Sequence, residues 1–66
     1  MTFFAATNLN ARSARTGKSA RTVHAFATRA ERDEFVANYP TADCEAIRAA
    51  DLTQTEREFA EFRAAL

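Results

Sequence analysis

The chain has 66 residues, no net formal charge, one cysteine and 47% hydrophobic residues. That length caps it at a single small domain, which buries only about 60% of the surface its unfolded chain exposes, and excludes a deep cleft closing over a substrate. One cysteine excludes an internal disulfide, and no apolar run reaches the ~18 residues of a membrane-spanning helix.

The material for a core is six Phe, three Leu, two Val and one each of Ile, Tyr and Met, with sixteen Ala between them. One thin core of this kind contributes roughly 3–5 kcal/mol of stability. Arginine outnumbers lysine eight to one, the codon signature of a GC-rich bacterial or phage genome. No basic-then-apolar leader opens the chain, so the expectation is a soluble protein of a bacterial cytoplasm, with no membrane partner. The zero net charge conceals a division. Residues 1–30 carry five basic groups and no acid, whereas residues 31–66 carry nine acids and four arginines. The halves either neutralise each other in the fold or present a charged face to a partner.

Residues 2–9, uncharged and opening on Phe3-Phe4, read as a strand with one half-buried face. The segment Ala11–Thr22 then repeats small, basic, hydroxyl four times: Ala-Arg-Ser, Ala-Arg-Thr, Gly-Lys-Ser, Ala-Arg-Thr. A period of three matches neither strand nor helix, and nothing in it is large enough to bury. Gly17 supplies the positive φ of a tight turn. Residues 11–21 are therefore expected to form a solvated basic hairpin tip or loop centred on Thr16-Gly17. Gly17-Lys18-Ser19 also spells the end of a phosphate-binding loop, but that motif requires glycine where Arg12 stands and a parallel sheet behind it. Nucleotide binding is not expected on those grounds.

Residues 21–27 read as a second strand, where Val23 and Phe26, three apart, break strict alternation; a bulge is one explanation and a short irregular strand another. Thr28 and Glu31 then match a capping box. A helix runs to Asn38, with Arg32, Phe35, Val36 and Tyr39 on one face, the last three turned inward. Pro40 ends it. Residues 43–47 fit a short third strand or a helical turn; the strand is expected, because a two-stranded hairpin is marginal alone. Thr53 and Glu56 form a second capping box opening a helix over 54–65, with an apolar stripe at Phe59, Phe62 and Leu66. The order ββαβα defines an α+β fold: a small antiparallel sheet, a hairpin plus a short third strand, packed against two helices.

No catalytic set emerges. His24 and Cys44 are each single, and neither has a partner at a spacing that signals metal binding or nucleophilic catalysis; Cys44 reads as a small buried hydrophobe. No cofactor or metal is expected, and the protein is not expected to be an enzyme. What stands out is charge. Arg12, Arg15, Lys18 and Arg21 on the protruding loop, with Arg29 beyond it, are candidate partner-binding residues. Glu31, Glu34, Glu56, Glu58 and Glu61 form a secondary acidic surface. The cations would neutralise phosphates, with the neighbouring hydroxyls adding hydrogen bonds, or would dock on an acidic protein. No aromatic is interleaved to stack on bases.

The run Phe3–Asn8, the Thr16-Gly17-Lys18 turn and Val23–Val36 resemble small accessory proteins of phages and mobile elements in GC-rich bacteria, the anti-CRISPR type among them. The resemblance covers about half the chain. It implies a non-enzymatic inhibitor that blocks a host protein or ribonucleoprotein complex, such as a CRISPR effector, by steric or electrostatic binding. A nucleic-acid-binding module using the basic arm, and a structural homo-oligomer burying Phe on a twin, stand as alternatives.

Overall fold

The computed structural model describes all 66 residues, Met1–Leu66. Strands β1 (Phe3–Thr7) and β2 (Thr22–Phe26) are followed by helix α1 (Arg29–Asn38), strand β3 (Cys44–Ile47), a 3-10 turn (Ala49–Asp51) and helix α2 (Gln54–Ala64). This is an α+β fold in the order ββαβα, built on a three-stranded antiparallel sheet ordered β2-β1-β3.

β1 is the central strand, and Phe4, Ala5, Ala6 and Thr7 are all buried. Both its faces are covered, which corrects the expectation of a half-buried strand. Pairing sets which residues share a face. Phe4 lies opposite Ala25 and Ile47, and Ala6 opposite Val23. Phe4, Ala6, Val23 and Ile47 make the main core with Ala60 of α2, and Leu9, Ala25 and Leu52 pack against it. Phe3, Ala5 and Thr7 point to the other face, opposite Phe26, His24 and Thr22. There α1 lays Phe35 on both His24 and Phe26, with ring centroids 5.0 and 5.2 Å apart, and Tyr39 on Phe35.

The two helices thus cover opposite faces of the sheet. Val23 and Phe26 need no bulge to reconcile them: β2 keeps unbroken register with β1, and each residue enters a different layer. Ala5 lies buried on the α1 face, while α2 packs mainly on β2 and meets the central strand through Ala60.

Both helix starts follow the sequence, with one difference. Around α2, Thr53 accepts the Glu56 amide and the Glu56 carboxylate accepts the Thr53 amide, a complete capping box. Around α1, Thr28 accepts the Glu31 amide, but Glu31 takes the Thr28 hydroxyl rather than its backbone N–H.

The inward face of α2 differs from its apolar stripe. Ala60 is the one buried residue of this helix. Phe59, Phe62 and Leu66 stay largely exposed, at 62%, 64% and 89%. The helix turns Ala60, Glu56 and Arg63 to the body because Glu56 pairs with Arg21 and Arg63 donates to the Val23 carbonyl. The latter bond occupies a polar group on β2, an edge strand that would otherwise offer it to another chain.

Candidate functional site

The link from β1 to β2 is a structured arm. Asn8 takes a positive φ of 55°, tolerable for asparagine. The Leu9 amide is held by the Asp43 carboxylate at 2.8 Å, which ties the arm's root to β3. Farther out, Arg12 and Ser19 form an isolated antiparallel bridge, with Ala20 N–H donating to the Ala11 carbonyl at 3.0 Å. The tip is closed by Ser13 N–H to the Lys18 carbonyl and Gly17 N–H to the Ser13 carbonyl, both at 2.8 Å. Gly17 sits at φ +72° with open space around it, the turn its sequence position asks for.

The hydroxyls organise this tip. Ser13 Oγ accepts the amides of Arg15 and Thr16, and Thr16 Oγ1 accepts that of Lys18. These turns hold the basic side chains outward. Arg12, Arg15 and Lys18 are exposed, and no carboxylate of the chain pairs with any of them.

Arg21 has a different place. Its guanidinium grips the Glu56 carboxylate at two points, 2.7 and 3.1 Å, and donates to the Asp51 carbonyl at 3.0 Å. The paired side chains are only 22% and 19% exposed. The bond to Arg21 is the main cause holding the Glu56 carboxyl down at about 2, and the same bond raises Arg21 further. Arg21 therefore anchors the base of the arm to α2 rather than adding a free charge. Arg29 lies at the opposite end of the sheet, where the Phe3–Phe26 end of the hairpin enters α1. The five sequence-selected cations resolve into a free trio, an anchor and a distant fifth.

The acids divide likewise. Glu31 and Glu34 lie on α1 and Glu58 and Glu61 on α2; Glu31 and Glu61 nevertheless line one groove with Ala25 and Phe26, and Glu56 is internally paired. Glu58 receives the Gln54 amide and Glu61 the Arg57 guanidinium.

Near Arg29 the fold assembles a groove of about 450 Å³ that the sequence did not disclose, with Met1, Phe3 and Ile47 among its walls and Arg32 and Arg48 beside Arg29. Arg32 also lies over the Phe3 ring, 5.7 Å from its centre, and pairs with Asp33. A guanidinium at a nominally apolar helix position was the available signal.

His24 Nε2 lies 3.2 Å from Thr7 Oγ1. Burial, then the Arg63 charge, lowers its pKa from the ordinary 6.5. Cys44 stands across β1, opposite Thr7, its thiol raised by burial and by Asp43 and Glu45. The fold thus places a hydroxyl beside the imidazole, while the thiol is held in its protonated, unreactive form. No group of three His, Cys, Asp or Glu side chains is arranged to hold a metal ion, and no helix is long and apolar enough to cross a membrane.

Comparison with protein-family models, with curated proteins and with solved structures returned no match.

Proposed function

We propose that this protein is a non-enzymatic binding protein that presses its cationic arm onto an acidic surface of a larger host complex and so blocks that complex. An inhibitor carried by a phage or mobile element, with a CRISPR effector among its targets, is the biological setting this reading implies. The observation that carries it is the trio Arg12, Arg15 and Lys18, exposed, without internal carboxylate partners, on an arm whose base is tied down by Arg21. Anchoring lowers the entropy lost when the arm meets a partner. Rim charges of this sort speed association and choose the partner by sign.

The test is capture from a bacterial host lysate with the wild-type protein and with Arg12→Glu/Arg15→Glu/Lys18→Glu. The wild type retains a stoichiometric protein partner, and the triple variant loses it while keeping its far-UV circular dichroism. A folded triple variant that captures the partner equally well overturns the reading.

A second reading draws on the hydroxyls. Ser13 and Thr16 accept amides through oxygen, which leaves each O–H free to donate to a phosphate beside the cations. Nucleic-acid binding of this kind falls steeply as salt rises. Fluorescence polarisation with labelled DNA and RNA at low salt checks it; a flat signal removes this second reading.

A further inference from the structure

We propose that the groove at the far end of the sheet from the arm is a binding site for a small organic phosphate, a phosphate monoester with a compact apolar body. Three segments remote in sequence build it. Phe3 and Phe4 open β1, Ile47 closes β3 opposite Phe4, and α1 begins at Arg29. The arm leaves β1 from its other end, after Thr7, so the groove is separate from the cationic trio.

The lining is that of a ligand site rather than of a solvated edge. A volume of about 450 Å³ falls within the range of small-molecule pockets. Six of the ten lining residues are hydrophobic, the rest are Thr2 and the arginines Arg29, Arg32 and Arg48, and no acid is among them. Apolar walls with converging cations select a molecule that has an apolar body and an anionic end.

The three guanidiniums are not equivalent. Arg32 is fixed in place. Its side chain is only 12% exposed, its Nε is bound to Asp33 at 2.7 Å, and an amino nitrogen donates to the Phe4 carbonyl. It lies over the Phe3 ring and adds positive charge with little rotamer freedom left to lose. Arg29 has no carboxylate partner. Arg48 pairs with Asp51 at 3.1 Å, but those side chains are 82% and 50% exposed. A surface pair of this kind contributes little and is exchanged for a ligand at small cost.

That division decides the ligand. Arg29 on α1 and Arg48 beyond β3 bring two guanidinium forks to one groove. A carboxylate has two oxygens, which a single fork satisfies. A phosphate monoester has three terminal oxygens and about two negative charges at neutral pH, enough for both forks. Phe3 and Ile47 then receive the apolar body, and an aromatic ring there packs against the Phe3 ring.

The experiment is a titration of the isotopically labelled full chain with phenyl phosphate, read from amide chemical shifts, beside inorganic phosphate and benzoate. Phenyl phosphate moves the amides of Phe3, Arg29, Ile47 and Arg48 along one saturating curve, while those of Arg15 and Gly17 on the arm stay put. Inorganic phosphate and benzoate each bind more weakly by about tenfold or more. Arg29→Gln/Arg48→Gln keeps its circular dichroism and loses about tenfold or more in affinity for phenyl phosphate. Should that variant unfold, Arg48→Lys alone keeps the charge, removes the fork and weakens binding several-fold. The proposal is overturned if no saturable shift appears at the groove, or if the shifts centre on the arm. It is equally overturned if the folded glutamine variant binds as the wild type does, if benzoate matches phenyl phosphate, or if inorganic phosphate matches it, which would mean an adventitious ion only. The arm's role is tested separately by capture of its partner.

Discussion

Arg21 and Glu56 lie 35 positions apart, and their two-point ion pair is the strongest single polar tie between the hairpin and α2. Glu56 also closes the capping box, so one carboxylate serves both the helix start and the arm's base. Glu56→Gln keeps an oxygen for the Thr53 amide but loses the charge, and is expected to cost about 1–2 kcal/mol in chemical denaturation at neutral pH. The carboxyl titrates at about 2 in the folded protein and at 4.5 ordinarily, so the unfolded chain takes up its proton first. The stabilisation is complete above the ordinary value and drains away as pH falls from 4.5 toward 2. Wild type and Glu56→Gln should therefore converge in stability over that interval; a constant gap would contradict the pairing. His24 acts in an earlier window. Its pKa is depressed by burial, so again the unfolded chain binds the proton more readily, and stability declines as pH drops below 6.5. Urea midpoints on either side of pH 6.5 should move for the wild type and stay level for His24→Gln.

The elements show how local signals and packing divide the work. Each helix begins where a threonine three residues ahead of a glutamate places it; α1 ends before Pro40, and α2 ends at Ala64, one residue short of the expected 65. Thr53→Ala removes the oxygen that accepts the Glu56 amide and is expected to cost about 1 kcal/mol, a fall of about 4–8 °C in Tm for a domain of this size. The inward face of α2 is another matter. Ala60 is 1% exposed in the cluster with Phe4 and Val23, leaving no room for a larger side chain. Ala60→Leu should destabilise by about 1–3 kcal/mol through overpacking, even though leucine is the better apolar residue and a good helix former. Thermal melts of this variant check the assignment; a neutral or stabilised Ala60→Leu would mean that α2 does not face the sheet through this residue.

At the scale of the molecule, the division of charge along the chain becomes a division in space. The fold internalises one cation of the basic segment at Glu56, sends Arg29 to the far end of the sheet and leaves Arg12, Arg15 and Lys18 facing solvent. Arg12→Glu/Arg15→Glu/Lys18→Glu should leave Tm within a few degrees of the wild type, because exposed unpaired charges contribute little to stability. Arg21→Glu should unfold the protein at markedly lower denaturant, since it sets two carboxylates against each other at the arm's base. Equal stabilities for the two variants would erase the distinction between free and anchoring cations.

The sequence by itself determined the hairpin, the two helix starts and their order, because capping residues, the Pro40 stop, the Gly17 turn and the repeat around it act within a few residues of themselves; residues 43–47 fitted a strand or a helical turn, and pairing with β1 made them a strand. The sequence also located the arm, since a segment with nothing large to bury has no means of entering a core. Three further things were left to the tertiary structure. β1 became a central strand covered on both sides, because β2 and β3 both pair with it and α1 and Ala60 of α2 close its two faces. Arg21 became an anchor, because the carboxylate that binds it is brought near only by folding. The apolar stripe of α2 was turned outward, because Ala60 fits the narrow space above Phe4 and Val23 while Glu56 and Arg63 find their polar partners on β2 and the arm. Periodicity names a stripe on a helix; only the shape and charge of what the helix meets decide which way the stripe points.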